Sequence, residues 1–119
     1  MSVPKIFESE YRFCLIVWEK EPMTIAELAK LANDRLNWSR TTTYTVVKRL
    51  TERGVLQNVN SSITSLVSKE DVQVAEMEEL VEKTFEGSLP AFIAAFAKSR
   101  KLSETEIEEI RSIIKRGGK

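Results

Sequence analysis

The chain is predicted to be mainly α-helical: three helices, a β-hairpin, then a second helical region. Three observations predict this. Apolar residues recur three and four positions apart through most of the chain, the mark of helices with one buried face. From Val55 to Val67 that period gives way to two short β-type runs around the polar pair Asn60-Ser61, which reads as a hairpin. After Lys69 the helical period returns, with more apolar surface than thin helices bury among themselves. Three helices followed by a hairpin is the order of a winged helix-turn-helix, in which the third helix is offered to the major groove and the hairpin is the wing. The expected division is a DNA-binding winged-helix domain at 1–68 and a helical dimerisation domain at 69–119.

Each element has a local reason. Tyr11, Cys14, Leu15 and Trp18 give helical spacing from about Phe7 to Glu19, and Pro22 marks the exit. Thr24 with Glu27 three residues on is a capping-box pattern that opens a second helix, with Ile25, Leu28, Ala29, Leu31 and Ala32 as its apolar positions. Asn37-Trp38-Ser39 reads as a loop, Ser39 as the N-cap of the third helix and Gly54 as its terminating glycine. Val55–Val59 and Ile63–Val67 are the two strands. Met77, Leu80, Val81, Thr84 and Phe85 form a stripe along a helix from about Lys69 to Glu86, ended by Gly87. Ser88-Leu89-Pro90 opens a short helix, where proline suits the first turn. Ser103 and Glu106 form a second capping box, and Ile107, Ile110 and Ile114 follow at seam-like spacing. Lys115 to Lys119 reads as a frayed end.

Composition excludes several classes of function. The 119 residues suit one ordinary domain or two very small ones, and 42% are hydrophobic, enough for a core. No apolar run is long enough to span a membrane, and Met1 to Lys5 lacks the apolar segment of a secretory signal, so the expected location is the cytoplasm. The single cysteine, Cys14, falls in an apolar helical pattern and reads as a buried thiol. Histidine is absent, and there is no Gly-rich phosphate loop or nucleophile elbow. No enzyme activity, metal site or cofactor is expected.

The formal net charge is zero, yet the charges are segregated. Between Leu36 and Gly54 the cations Arg40, Lys48, Arg49 and Arg53 are opposed only by Glu52, whereas acids dominate from Lys69 to Glu86. The basic stretch is the third helix. Thr43, Val46, Val47 and Leu50 form its apolar stripe, and Arg40, Thr41, Tyr44, Thr45 and Lys48 fall on the opposite face, which has no carboxylate. Cations, hydroxyls and one ring suit phosphates and base edges. Arg40, at the helix entry, suits a phosphate or a guanine edge, and Lys48 a phosphate. Thr41 and Thr45 suit base edges or a thymine methyl. Five threonines between positions 41 and 51 cost helix propensity, which points to a use beyond folding. Tyr44 suits a sugar or base contact, or simply cover over the second helix. Ser39 caps the helix and brings its N-terminus to a phosphate. Arg49 suits a phosphate or a carboxylate of the acidic half. With Thr42 these residues form the expected DNA-binding set. Trp18, Trp38 and Leu50 read as core.

Leu80, Phe85, Leu89, Phe92, Ile93, Phe96, Ile107, Ile110 and Ile114 are the expected dimer interface, or core of the second half; the sequence does not separate the two. Their apolar excess implies a partner, and a second copy is the simplest, since two-fold dimers dominate soluble oligomers. The other reading is that this half folds back on the winged domain of its own chain.

Trp18, the Trp38-Ser39 loop, the Thr-rich helix ending in Arg49-Leu50 and Gly54, the Phe85-x-Gly87-Ser88 stretch, Phe96 and Leu102-Ser103-x-x-x-Ile107-Glu108-x-Ile110 together resemble the BlaI/MecI/CopY family of bacterial transcriptional repressors, from about Ile6 to Ile114. The resemblance implies a homodimeric, sequence-specific DNA-binding repressor controlling a resistance or stress-response operon. It implies inverted-repeat double-stranded operators, often with TACA/TGTA half-sites. It also implies, for some members, a membrane sensor protease that acts on the repressor at an Asn-Phe bond. The matching position here is Ala95-Phe96, where the Phe is kept and the Asn is absent. Copper-responsive members carry a C-terminal cysteine cluster, which this chain lacks. The wing also departs, with no Lys or Arg from Gln57 to Val67. That cation-free wing and the neutral net charge favour a second reading, a winged-helix protein-interaction adaptor without sequence-specific DNA binding.

Overall fold

Helix α1 (Glu8–Lys20) is followed by α2 (Ile25–Leu36), α3 (Arg40–Glu52), the strands β1 (Leu56–Val59) and β2 (Ser62–Ser65), and helices α4 (Lys69–Phe85), α5 (Leu89–Ser99) and α6 (Glu104–Lys115). This computed structural model describes residues 3–117, so the expectations on Met1, Ser2, Gly118 and Lys119 lie outside the described residues. The mainly helical class and the three-helix-plus-hairpin order are as the periodicity predicts.

The chain forms two compact units, Met1–Met77 and Glu78–Lys119. The division falls inside α4, because its first turns belong with the first unit: Val72 is buried in that unit's core with Phe13, Val17, Leu28, Leu50 and Ile63. Each such side chain contributes about 1.5–3 kcal/mol by leaving water. Cys14 is buried there too, and burial pushes its thiol up to about 12, so it is protonated and inert at neutral pH.

Caps set the helix starts. The Thr24 hydroxyl accepts from the Glu27 N–H at 3.1 Å, and the Glu27 carboxylate accepts from the Thr24 N–H at 3.0 Å. Ser103 and Glu106 repeat this at α6. These hydrogen bonds hold both carboxyls below the usual range. At the end of α4 it is Glu86 that first adopts the left-handed conformation, with φ +52°. Gly87 follows at φ +80°, and its N–H reaches back to the Val81 carbonyl at 3.1 Å, closing the helix end through left-handed residues.

The hairpin is antiparallel, with Leu56 opposite Ser65 and Val59 opposite Ser62. Asn60 and Ser61 both have positive φ, the requirement of a two-residue type I′ turn. Three contacts absent from the sequence reading fix the wing to the helices. Met23 pairs with Ile63, adding one rung to the edge of β2. The Glu21 carboxylate accepts from the Ser65 N–H at 2.7 Å. The Trp18 indole N–H donates to the Val67 carbonyl at 3.0 Å.

Arg53, counted among the cations of the basic stretch, is paired. Its guanidinium donates to the Lys5 carbonyl at 2.7 Å and pairs with the buried Glu10 carboxylate, which also accepts from the Phe7 N–H at 2.9 Å. Arg53 thus ties the end of α3 to the start of α1. Arg53→Met leaves Glu10 buried without its cation, and the expected cost is about 2–3 kcal/mol. A lowered midpoint in urea unfolding at unchanged slope is the sign of it; an unchanged midpoint would contradict the structural role.

Candidate nucleic-acid interface

The placement of α3 begins at the α2–α3 turn. Asn37 ends α2 in the left-handed conformation, φ +59°, which Asn tolerates better than most residues. The chain then reverses so that the Trp38 ring stacks on Phe13, centroids 5.4 Å apart. The Asn33 amide donates to the Trp38 carbonyl at 3.0 Å, and the Trp38 N–H to the Ala32 carbonyl at 3.3 Å. Ser39 follows as N-cap, its hydroxyl accepting from the Thr42 N–H at 3.1 Å. A half-buried tryptophan and a hydroxyl cap therefore set where α3 starts and which way it faces.

The face of α3 divides as its spacing predicts. Thr43, Val46, Val47 and Leu50 are buried, and Arg40, Thr41, Thr42, Tyr44, Thr45, Lys48 and Arg49 are exposed, as is Ser39. Among the described residues Arg40, Lys48 and Arg49 make no ion pair and their side chains make no hydrogen bond. The Arg40 guanidinium lies over the Tyr44 ring, 5.8 Å from its centroid, one helical turn along, so the two side chains restrict each other.

The structure narrows the threonine argument. Thr43 donates to the Ser39 carbonyl at 3.4 Å, Thr51 to the Val47 carbonyl at 2.7 Å, and Thr42 shares a 2.9 Å hydrogen bond with Ser39. These three hydroxyls serve the helix itself. Thr41 and Thr45 have no such bond among the described residues, and both face outward.

The helix thus presents a strip of cations, two uncommitted hydroxyls and one ring, with the exposed Glu52 carboxylate on the same face at its C-terminal end. The wing beside it in sequence carries exposed Val59 and Leu66 and no cation. Among the described residues no cluster of His, Cys, Asp or Glu is arranged to hold a metal.

Residues 6–116 match the model of the family described as "Penicillinase repressor". The chain belongs to the penicillinase repressor family. It is 25% identical to the methicillin resistance regulatory protein MecI of Staphylococcus aureus strain Mu50, over 92% of this chain and 93% of that protein. It is 23% identical to the penicillinase repressor of S. aureus, over 92% and 90%. The corresponding protein of Bacillus licheniformis is 21% identical, over 95% and 91%. The chain is thus a member of a family of transcriptional repressors, and these relatives carry the names of regulators, not enzymes. Among the described residues no helix is long and apolar enough to cross a membrane.

The second unit carries the other expected set. Among its described residues Val81 alone is buried. Leu80 (45%), Leu89 (50%), Ile93 (44%) and Ile114 (64%) are exposed, Ile107 is also exposed, and Phe85, Phe92, Phe96 and Ile110 are half-buried. Phe85 and Phe92 meet edge-to-face at 5.6 Å. Helix α5 is apolar from Leu89 to Ala97 with no buried residue. The Ala95-Phe96 peptide lies inside this helix, and the Phe96 carbonyl accepts from the Ser99 hydroxyl at 3.0 Å and the Arg100 N–H at 3.2 Å.

Proposed function

We propose that the protein is a cytoplasmic, homodimeric repressor that binds an inverted-repeat operator in double-stranded DNA and controls a resistance or stress-response operon. The observation that carries this reading is the outward strip of α3. Arg40 and Lys48 supply cations for the backbone, and Thr41, Tyr44 and Thr45 supply groups for base edges. Ser39, Thr42 and Arg49 complete the set at the cap and along the helix. Family membership supports the same assignment.

The dimer rests on a second observation. A helix apolar on nearly all sides is stable in water only when covered, and α5 is not covered in the single chain. We propose that Leu80, Phe85, Leu89, Phe92, Ile93, Phe96, Ile107, Ile110 and Ile114 meet their counterparts in a second copy, with residues 69–119 as the dimerisation region, the first turns of α4 packing in the core of the DNA-binding unit. A two-fold dimer presents two α3 helices, matching a palindromic site. For induction three routes stay open: a membrane sensor protease acting at a bond other than Ala95-Phe96, a small ligand, or a partner protein.

Fluorescence anisotropy with the gene's own upstream duplex, against a scrambled duplex, tests the reading at low and physiological salt. The expected result is selective binding that weakens with salt as phosphate contacts release counterions. Equal binding to both duplexes at every salt would favour the protein-interaction adaptor instead.

A further inference from the structure

Lys30 lies on α2, outside the strip assigned to DNA, and the sequence reading gave it no role. In the structure it lines an open cleft of about 350 Å³ with Ala26, Ala29, Asn33 and Arg40, where α2 meets the first turn of α3. The chemistry of this cleft is one-sided. Its two charged residues are both cations, and among the described residues neither has an ion-pair partner. The carboxylates nearest in sequence to Lys30, Glu27 and Asp34, do not line the cleft, and Glu27 is engaged by Thr24. The Asn33 amide is engaged by the Trp38 carbonyl, so it adds no charge and stays in place. Ala26 and Ala29 have no bulk to keep a strand away. The α3 N–H groups of Arg40 and Thr41 lie at the same end, among the first of the helix, which have no intrahelical acceptor.

We infer that this cleft seats one phosphate of the DNA backbone between Lys30 and the start of α3, so that Lys30 is a positioning residue of the DNA surface. The inference rests on the operator-binding reading and deepens it. It also accounts for how a chain with a cation-free wing fixes its register. A winged helix gripped only along α3 can rock about that helix, and a phosphate held on α2 removes that freedom. Lys30 carries no sequence information, since a phosphate contact fixes orientation and leaves readout to base edges.

The test is the salt dependence of DNA binding for the full-length chain and for Lys30→Gln, with Lys20→Gln as a control for loss of a surface cation elsewhere. Lys20 sits at the end of α1 beside Glu19. For Lys30→Gln the slope of log affinity against log salt is expected to fall by about 1, with affinity lower by about fivefold at 0.15 M salt on operator and scrambled duplex alike. Lys20→Gln is expected to match the parent. A parent slope retained in Lys30→Gln would overturn the inference while leaving operator binding intact. A loss confined to the operator would also overturn it, because that is the signature of base readout. Failure of the parent itself to prefer the operator would instead overturn the reading on which the inference rests.

Discussion

Ile93→Glu is expected to convert the protein to a monomer and to lower operator affinity by about 100-fold or more. The side chain is already exposed in the single chain, so the charge does not disturb the monomer's own packing. In a dimer it places two carboxylates in an apolar contact, where desolvation opposes association. The affinity follows because two linked α3 helices bind two half-sites with the second contact made intramolecular, and a monomer forfeits that gain. Sedimentation velocity gives the oligomeric state and anisotropy the affinity. Leu89→Glu, on the same helix, is expected to do the same, which guards against an effect peculiar to one position. Unchanged helicity by circular dichroism separates lost association from lost folding. A variant that remains dimeric would remove α5 from the interface.

Arg40→Ala is expected to weaken DNA binding, by about 1–3 kcal/mol with Arg40 at a guanine edge. Arg40 is fully outside the core, its guanidinium rests on Tyr44, and it faces both the α3 strip and the Lys30 cleft. With Arg40 at a phosphate, operator and scrambled duplex lose affinity together and the salt slope falls. Thr45→Ala is expected to behave differently: discrimination between the duplexes shrinks and the slope stays, since a hydroxyl or methyl at a base edge releases no counterion. Unchanged affinity in Arg40→Ala would take Arg40 out of the interface.

The contrast between these residues shows what was legible in the chain. The two faces of α3 follow from a 3.6-residue period, so the buried set Thr43, Val46, Val47 and Leu50 and the outward set could be sorted without coordinates. The caps at Thr24, Ser39 and Ser103 were legible for the same reason: each is a contact within four residues. Arg53 was not legible. Its partner Glu10 is 43 positions away, and counting charges along the sequence shows only that Arg53 lies in the basic stretch. Lys30 was missed because α2 has a polar outer face, and only the turn at Trp38 brings that face to Arg40. The wing's anchors, Met23, Glu21 and Trp18, are also long-range and left no local pattern. The structure divides the threonine run in two. Thr42, Thr43 and Thr51 serve the helix, and only Thr41 and Thr45 remain free to serve something else. The second half was legible as an apolar excess, since α5 is almost wholly apolar, but composition does not say what covers it.

Two copies are proposed to bind one duplex through their α3 helices. Sedimentation equilibrium of the full-length chain with a labelled upstream duplex, at physiological salt, measures the mass of that complex directly. Saturation at two chains per operator is expected, with no such complex on the scrambled duplex. A complex that saturates at one chain, or that forms equally on both duplexes, would contradict it.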